Sequence, residues 1–300
     1  MRVENYEVGR QFAETTNERL YLGTDVNDGK EVIIKVAKTS RDNQKLMESA
    51  RVLVGYWSVI NAVNATAGLS DEFRATFKRG RYDLLAAYPL DSSYELTPRD
   101  KRISIVATQS ARFISIVTLP DVKFSEVMPL SDIGNDYLID ARTAVWILGR
   151  ILKFYQVFGL FRTVGRATYK ESHMLYRCPL FSMGNFLIAP RRHRVIFYHA
   201  SKGTETIPGT PRDILEDITL SFVKYTQNLP PELSDLLYFE LLRRRVDSFT
   251  EAHQMLYEVA DKIWPPREFY PFTYQDKNGG EWKTIGEYDP FFKEGLNNGT

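Results

Sequence analysis

The stretch Gly9-Arg-Gln-Phe-Ala-Glu-Thr-Thr-Asn-Glu-Arg-Leu-Tyr-Leu-Gly-Thr24, followed by Asn27-Asp-Gly29 and Val32-Ile-Ile-Lys35, decides how this chain reads. Tyr6–Gln11 and Arg19–Thr24 are short β-prone runs. Asp28-Gly29 supplies the positive φ angles of a tight turn and leads into a third strand, Glu31–Ala37, carrying Val32, Ile33, Ile34 and Val36 around Lys35. A second stretch repeats the pattern on a smaller scale. Gly184-Asn185-Phe-Leu-Ile188, the basic turn Arg191-Arg192-His193 and Val195-Ile-Phe-Tyr-His-Ala200 predict a hairpin, Phe186–Ala189 against Arg194–Tyr198.

Outward from the first stretch, Leu46, Ala50, Leu53 and Trp57 recur at helical spacing. They predict a helix over Asp42–Ile60 with Ser40 as N-cap. Residues 61–102 are polar and irregular, and strands resume at Ile103–Ala107 and Phe113–Leu119. After Pro120 the texture turns helical: Asp140 caps Ala141–Phe158, with Gly159 as its stop, and further helices fit Pro211–Tyr225, Pro231–Arg244 and Phe249–Ile263. Strands first and helices later indicate an α+β fold in two lobes. The divisions are a strand-rich lobe over 1–120, a mainly helical lobe over 121–265, and an aromatic tail over 266–300 after Pro265-Pro266.

In order and spacing these stretches resemble the protein-kinase-like fold over roughly residues 5–265, closest to a divergent bacterial and phage group. The resemblance implies a bilobal domain in which Lys35 is the anchoring lysine and Asn185 the asparagine of the catalytic loop. On that register the loop glycines of a working kinase fall on Ala13, Thr15 and Glu18, and each side chain blocks the approach of backbone amides to phosphate. Glu18 also sets a negative charge toward a polyphosphate. The helix glutamate that pairs with the lysine falls on Ser49, with Glu48 beside it. The catalytic base falls on Leu180, within Cys178-Pro179-Leu180, and the magnesium-binding aspartate on Tyr198, within Tyr198-His199-Ala200. Leucine accepts no proton, and a phenol is a poor ligand for Mg²⁺. Asp217 resembles the helix aspartate that receives catalytic-loop amides.

Each of these residues also has a plainer reading. Lys35 can be a strand lysine whose head reaches solvent, Asn185 a turn cap, and His199 a packed side chain. The four histidines show no metal-ligand spacing. A formal charge of +1 calls for neither nucleic acid nor an anionic membrane. The basic clusters at 78–81, 191–194 and 243–245 therefore read as solvated faces or ion pairs. One cysteine, no apolar leader and no apolar run of membrane-spanning length indicate a cytoplasmic protein.

Loss across four motifs favours a catalytically inactive kinase-like domain, a pseudokinase, acting as a protein-interaction or scaffolding module. Its catalytic residues and metal are expected to be absent, with Lys35 and Asn185 left as a vestigial nucleotide site. Two readings stay open beside it. One is an atypical ATP-dependent phosphotransferase using Lys35 and Asn185, with ATP bound weakly and without metal. The other is a structural or nucleic-acid-associated phage component. The expected partner is another protein or a second copy, through the tail aromatics around Trp282.

Overall fold

The computed structural model describes residues 2–3, 5–50, 53, 103–107, 112–118, 122–168, 180–199, 210–243, 246, 248–266 and 268–286. Its first part is a six-stranded antiparallel sheet: β1 (Arg2–Val3), β2 (Tyr6–Glu14), β3 (Glu18–Asp25), β4 (Glu31–Ala37), β5 (Ile103–Ala107) and β6 (Phe113–Thr118). The strands lie in the order β1-β2-β3-β4-β6-β5. Because side chains alternate along a strand, β4 serves both faces. Val32 and Ile34 join Tyr6, Ile114 and Ile116 on the outer face. Ile33 joins Leu20, Leu53 and Val117 in the main core, which continues through the helical part. Gly23 permits this close packing, since a Cβ there would lie 2.6 Å from the Glu7 carbonyl oxygen.

Backbone 43–50, here α1, is helical and buries Leu46, Ala50 and Leu53, the stripe read from the sequence. Its cap differs from expectation. The Asp42 carboxylate accepts from the Thr39 amide (3.0 Å) and hydroxyl (2.7 Å), placing the cap at Thr39 rather than Ser40. The rest of that predicted helix, apart from Leu53, and the segment 61–102 lie outside the described residues.

The second part contains β7 (Met128–Pro129), β8 (Tyr137–Asp140), α2 (Ala141–Thr168), β9 (Phe186–Ala189), β10 (Arg194–Phe197), α3 (Pro211–Tyr225) and β11 (Thr226–Gln227). It continues with α4 (Pro231–Asp235), which widens into a π turn at Leu236–Leu241, then α5 (Phe249–Ile263), β12 (Phe272–Asp276) and β13 (Lys283–Ile285). Asp140 caps α2 as expected, its Oδ1 accepting from the Thr143 amide at 2.9 Å. The helix does not stop at Gly159 but runs on to Thr168. A helix-interior glycine costs only about 1 kcal/mol, less than is gained by burying Ile147, Leu148, Ile151, Leu152, Phe154 and Tyr155 in the core. The β9–β10 hairpin forms with the turn expected, and β7 adds to its edge.

The aromatic tail is not loose over its first half. β12 pairs antiparallel with β8, Phe272 is fully buried, and β13 covers it with Phe272 opposite Ile285. The molecule is α+β. Among the described residues no helix is long and apolar enough to cross a membrane.

The short turn Asp132–Asn135 seats β8 against α3 through Gly134, whose φ is +93° and whose added Cβ would lie 2.4 Å from the Tyr225 ring. Gly29 has a similar φ of +71° with nothing within 4 Å. Gly134→Ala should therefore cost at least about 2 kcal/mol more than Gly29→Ala in urea unfolding, the two sharing a backbone penalty of about 1 kcal/mol. Equal losses would place Tyr225 elsewhere.

Candidate functional site

The site begins as one row of the sheet. Leu20, Lys35 and Ser115 lie side by side across β3, β4 and β6, and Glu18 pairs with Ala37. Two-residue alternation sends Glu18, Leu20 and Lys35 to the same inner face. Lys35 is only 1% exposed and Glu18 3%. They are diagonal neighbours, about 7–8 Å apart at Cα by sheet geometry, so they attract without touching. Burial dominates that attraction for both. It raises the Glu18 carboxyl above the ordinary carboxylate range, against the pull of Lys35. It lowers Lys35 to about 8, against the opposing pull of Glu18. Lys35 Nζ, Glu18 Oε2 and Ser115 Oγ have no hydrogen-bond partner among the described residues.

Glu18 reaches this position because the β2–β3 turn is closed tightly. Thr15 Oγ1 accepts from the Glu18 amide at 3.1 Å, and the Thr15 amide donates to the Glu18 carbonyl at 2.9 Å. Phe12 comes from the preceding strand and lies 6.2 Å, centroid to centroid, from the Tyr198 ring.

The opposite wall is the base of the β9–β10 hairpin. The Asn185 carbonyl accepts from the amides of Tyr198 (3.1 Å) and His199 (3.4 Å), binding the two ends together. Lys35 Nζ stands 6.0 Å from the Tyr198 ring centroid. Tyr198 is 3% exposed, and burial first, then Asp132 and Glu18, push its phenol far above the ordinary tyrosine range, so it stays neutral. His199 Nδ1 lies 3.4 Å from Glu18 Oε2, yet neither ring nitrogen has a hydrogen bond among the described residues. Burial, with Lys35 adding to it, holds that imidazole well below its ordinary range and therefore neutral. Asp132 is the nearby carboxyl, raised to about 7 by burial and by Asp136.

The structure thus brings Lys35, Asn185 and Tyr198 to one site, and the buried ammonium rules out a lysine reaching for solvent. Leu180 is half-buried against the core edge. The helix partner anticipated for Lys35 is different: Ser49 is buried, Glu48 is bound by the Gln44 amide at 2.8 Å, and the charge acting on Lys35 is Glu18. The kinase register puts Glu18 over a phosphate, whereas the strand alternation of β3 turns position 18 to the face of Leu20 and Lys35. His199 is packed beside the same carboxylate. Asp132 carried no sequence signal, because only the fold brings it near Tyr198. Asp217 is exposed on α3, and Asp213 caps that helix, its Oδ2 accepting from the Thr210 hydroxyl at 2.7 Å.

Arg192 pairs with Glu126 at 3.3 Å, and Arg243 Cζ lies 4.6 Å over the Phe239 ring. The cluster at 78–81 and Cys178 lie outside the described residues. No group of three or more His, Cys, Asp or Glu side chains suited to a metal ion occurs among the described residues.

No family model matches the sequence, and no curated protein matches it. The fold is similar to that of the Mycobacterium tuberculosis PknI kinase domain, with a TM-score of 0.43 and 13% identity, covering 86% of this chain and 98% of that one.

The lowered Lys35 fixes a pH dependence. Between about 8 and the ordinary 10.5 the unfolded chain holds a proton on Lys35 that the folded chain does not. Stability therefore rises with pH across that window and falls as pH drops back through 8. Unfolding followed from pH 8 to 10.5 should show wild type gaining about 3 kcal/mol relative to Lys35→Met. Parallel curves would place Lys35 in solvent.

Proposed function

We propose that this chain is a protein-kinase-like domain whose phosphate site is closed from within, a pseudokinase that acts through its surface rather than by phosphoryl transfer. The observation that carries this reading is the buried Glu18 carboxylate beside Lys35, delivered by the hairpin that in a kinase would lie over the phosphates. Support comes also from the order of elements: hairpin, lysine strand, helix, two strands, long helix, small hairpin, helices. The strand-rich part to about residue 120 and the helical part to about 265 are then the two lobes.

A lysine that anchors a polyphosphate must offer its charge to the ligand. Here an internal carboxylate already opposes that charge. Tyr198, at the position of the magnesium-binding aspartate, is a buried neutral phenol, and Leu180, at that of the general base, accepts no proton. Removing a general base alone costs about 10²–10⁴ in rate. The atypical-phosphotransferase reading has one observation in its favour, the Asp132 carboxyl close enough to Tyr198 to raise its pKa. A single carboxylate raised to about 7 is a weak clamp for Mg²⁺.

Wild type should show no melting shift with Mg–ATP at micromolar concentration and transfer no label from ATP. Glu18→Gly, which removes both the charge and the side chain, should bring a measurable shift with ATP. A saturating micromolar Mg–ATP shift in wild type, or label transfer abolished by Lys35→Ala, would overturn the reading and promote the phosphotransferase.

The surface it would use includes the tail. β12 and Ile285 are committed to the fold, whereas Trp282 is 37% exposed beyond the Asn278-Gly-Gly280 turn. Trp282→Ala should leave the melting temperature unchanged and weaken association with a protein partner or a second copy, the latter read by sedimentation. A large loss of stability would assign Trp282 to packing instead. A cytoplasmic setting completes this reading.

A further inference from the structure

Away from the Lys35 site, a cavity of about 210 Å³ opens between α2, α5 and the segment leading to β12. Its walls follow from two helical stripes. Arg142, Trp146 and Arg150 recur every four residues on α2; Tyr257 on α5 and Trp264 just past its end line the same cavity, with Tyr270 beside them.

The aromatic wall is held in place before any ligand arrives. His193 is stacked between Trp146 (4.5 Å, 6° between planes) and Phe269 (4.2 Å, 17°), and one ring nitrogen, Nε2, lies 2.6 Å from the Tyr270 carbonyl oxygen. The Tyr270 hydroxyl donates to Asp140 Oδ2 at 2.6 Å.

Arg142 is the feature this packing leaves unexplained. Its guanidinium carbon lies 4.4 Å from the Tyr270 ring centroid and 5.4 Å from that of Trp264. It makes no hydrogen bond or ion pair among the described residues, although a guanidinium has five donors in one plane. Held against these two rings, the guanidinium keeps its donors for a planar acceptor, the pairing in which arginine takes a carboxylate. Arg150 adds a second positive charge to the same wall. The exposed carboxylates of Asp261 and Glu268 stand at the rim and disfavour a second negative charge on the occupant. A cavity of about 150 Å³ accommodates benzene, so this one has room for one ring and a carboxylate.

We propose that this cavity is a binding site for a small aromatic monocarboxylate, its carboxylate on the in-plane donors of Arg142 and its ring against the Trp264 and Tyr257 wall. The site is separate from the Lys35 cleft and independent of any nucleotide there.

Benzoate, titrated into the full chain by calorimetry and by quenching of tryptophan fluorescence, should bind saturably below about 10 mM. Benzyl alcohol, with the ring but no charge, and phenyl phosphate, with a second charge, should each bind at least about tenfold more weakly. Arg142→Gln should weaken benzoate by about tenfold or more. Arg142→Lys, which keeps the charge and loses the fork, should fall between, with the melting temperature of each variant confirming that it is folded. Lys35→Met should leave benzoate affinity unchanged. The proposal is overturned by absence of saturation in the wild type, by equal affinity for benzyl alcohol, or by benzoate affinity that both folded Arg142 variants retain.

Discussion

A buried ammonium opposite a buried carboxylate, Lys35 and Glu18 on neighbouring strands, is the constraint around which this fold is arranged. Two charges taken out of water each lose several kcal/mol of hydration. Here the loss exceeds what they regain from each other, since burial moves both groups toward neutrality. Removing either one leaves the other alone in the core, which costs more than removing both. The pair therefore resists piecemeal change, and the neighbouring groups have adapted to it: Tyr198 as a neutral ring beside the ammonium, His199 as a neutral imidazole beside the carboxylate.

This arrangement also sets the chemistry. A polyphosphate entering beside Lys35 would compete with Glu18 for a single positive charge and would itself have to lose hydration. On the proposed reading, the β2–β3 turn, fixed by Thr15, presents the side chain of Glu18 where an open kinase loop would present amides. The residue that is costly to bury is then also the one that closes the phosphate site. The helical part is held by different forces, mainly the apolar face of α2 and the β8–β12 pairing, and carries its own cavity between α2 and α5.

Much of the fold was legible in the sequence because periodicity reports burial. The stripe Leu46, Ala50, Leu53, the apolar run Val32, Ile33, Ile34 and Val36 around Lys35, and the cap at Asp140 each carry a local physical signature. The strands β7, β8, β11, β12 and β13 do not, since each is short and gains its partner only from distant chain. β12 looked like an aromatic tail because Phe272 and Tyr274 have no sequence neighbours to pack on, only β8. For the site, the kinase resemblance singled out Lys35, Asn185 and Tyr198, which the fold brings near one another. Asp132 and the pairing role of Glu18 were not, because both depend on which side chains a third element brings near. Gly159 misled because a glycine was read as a stop where the apolar face of α2 already outweighed its propensity.

The most direct test is the titration of the Lys35 ammonium itself, followed by NMR of ¹⁵N-lysine-labelled protein, with Lys35→Met used to assign the signal, in wild type and in Glu18→Gln. The pairing described here requires Lys35 to titrate near 8 in wild type. It also requires a lower value in Glu18→Gln, where the opposing charge that raises it is gone. A Lys35 that titrates near its ordinary 10.5, or one whose titration is indifferent to Glu18→Gln, would contradict it.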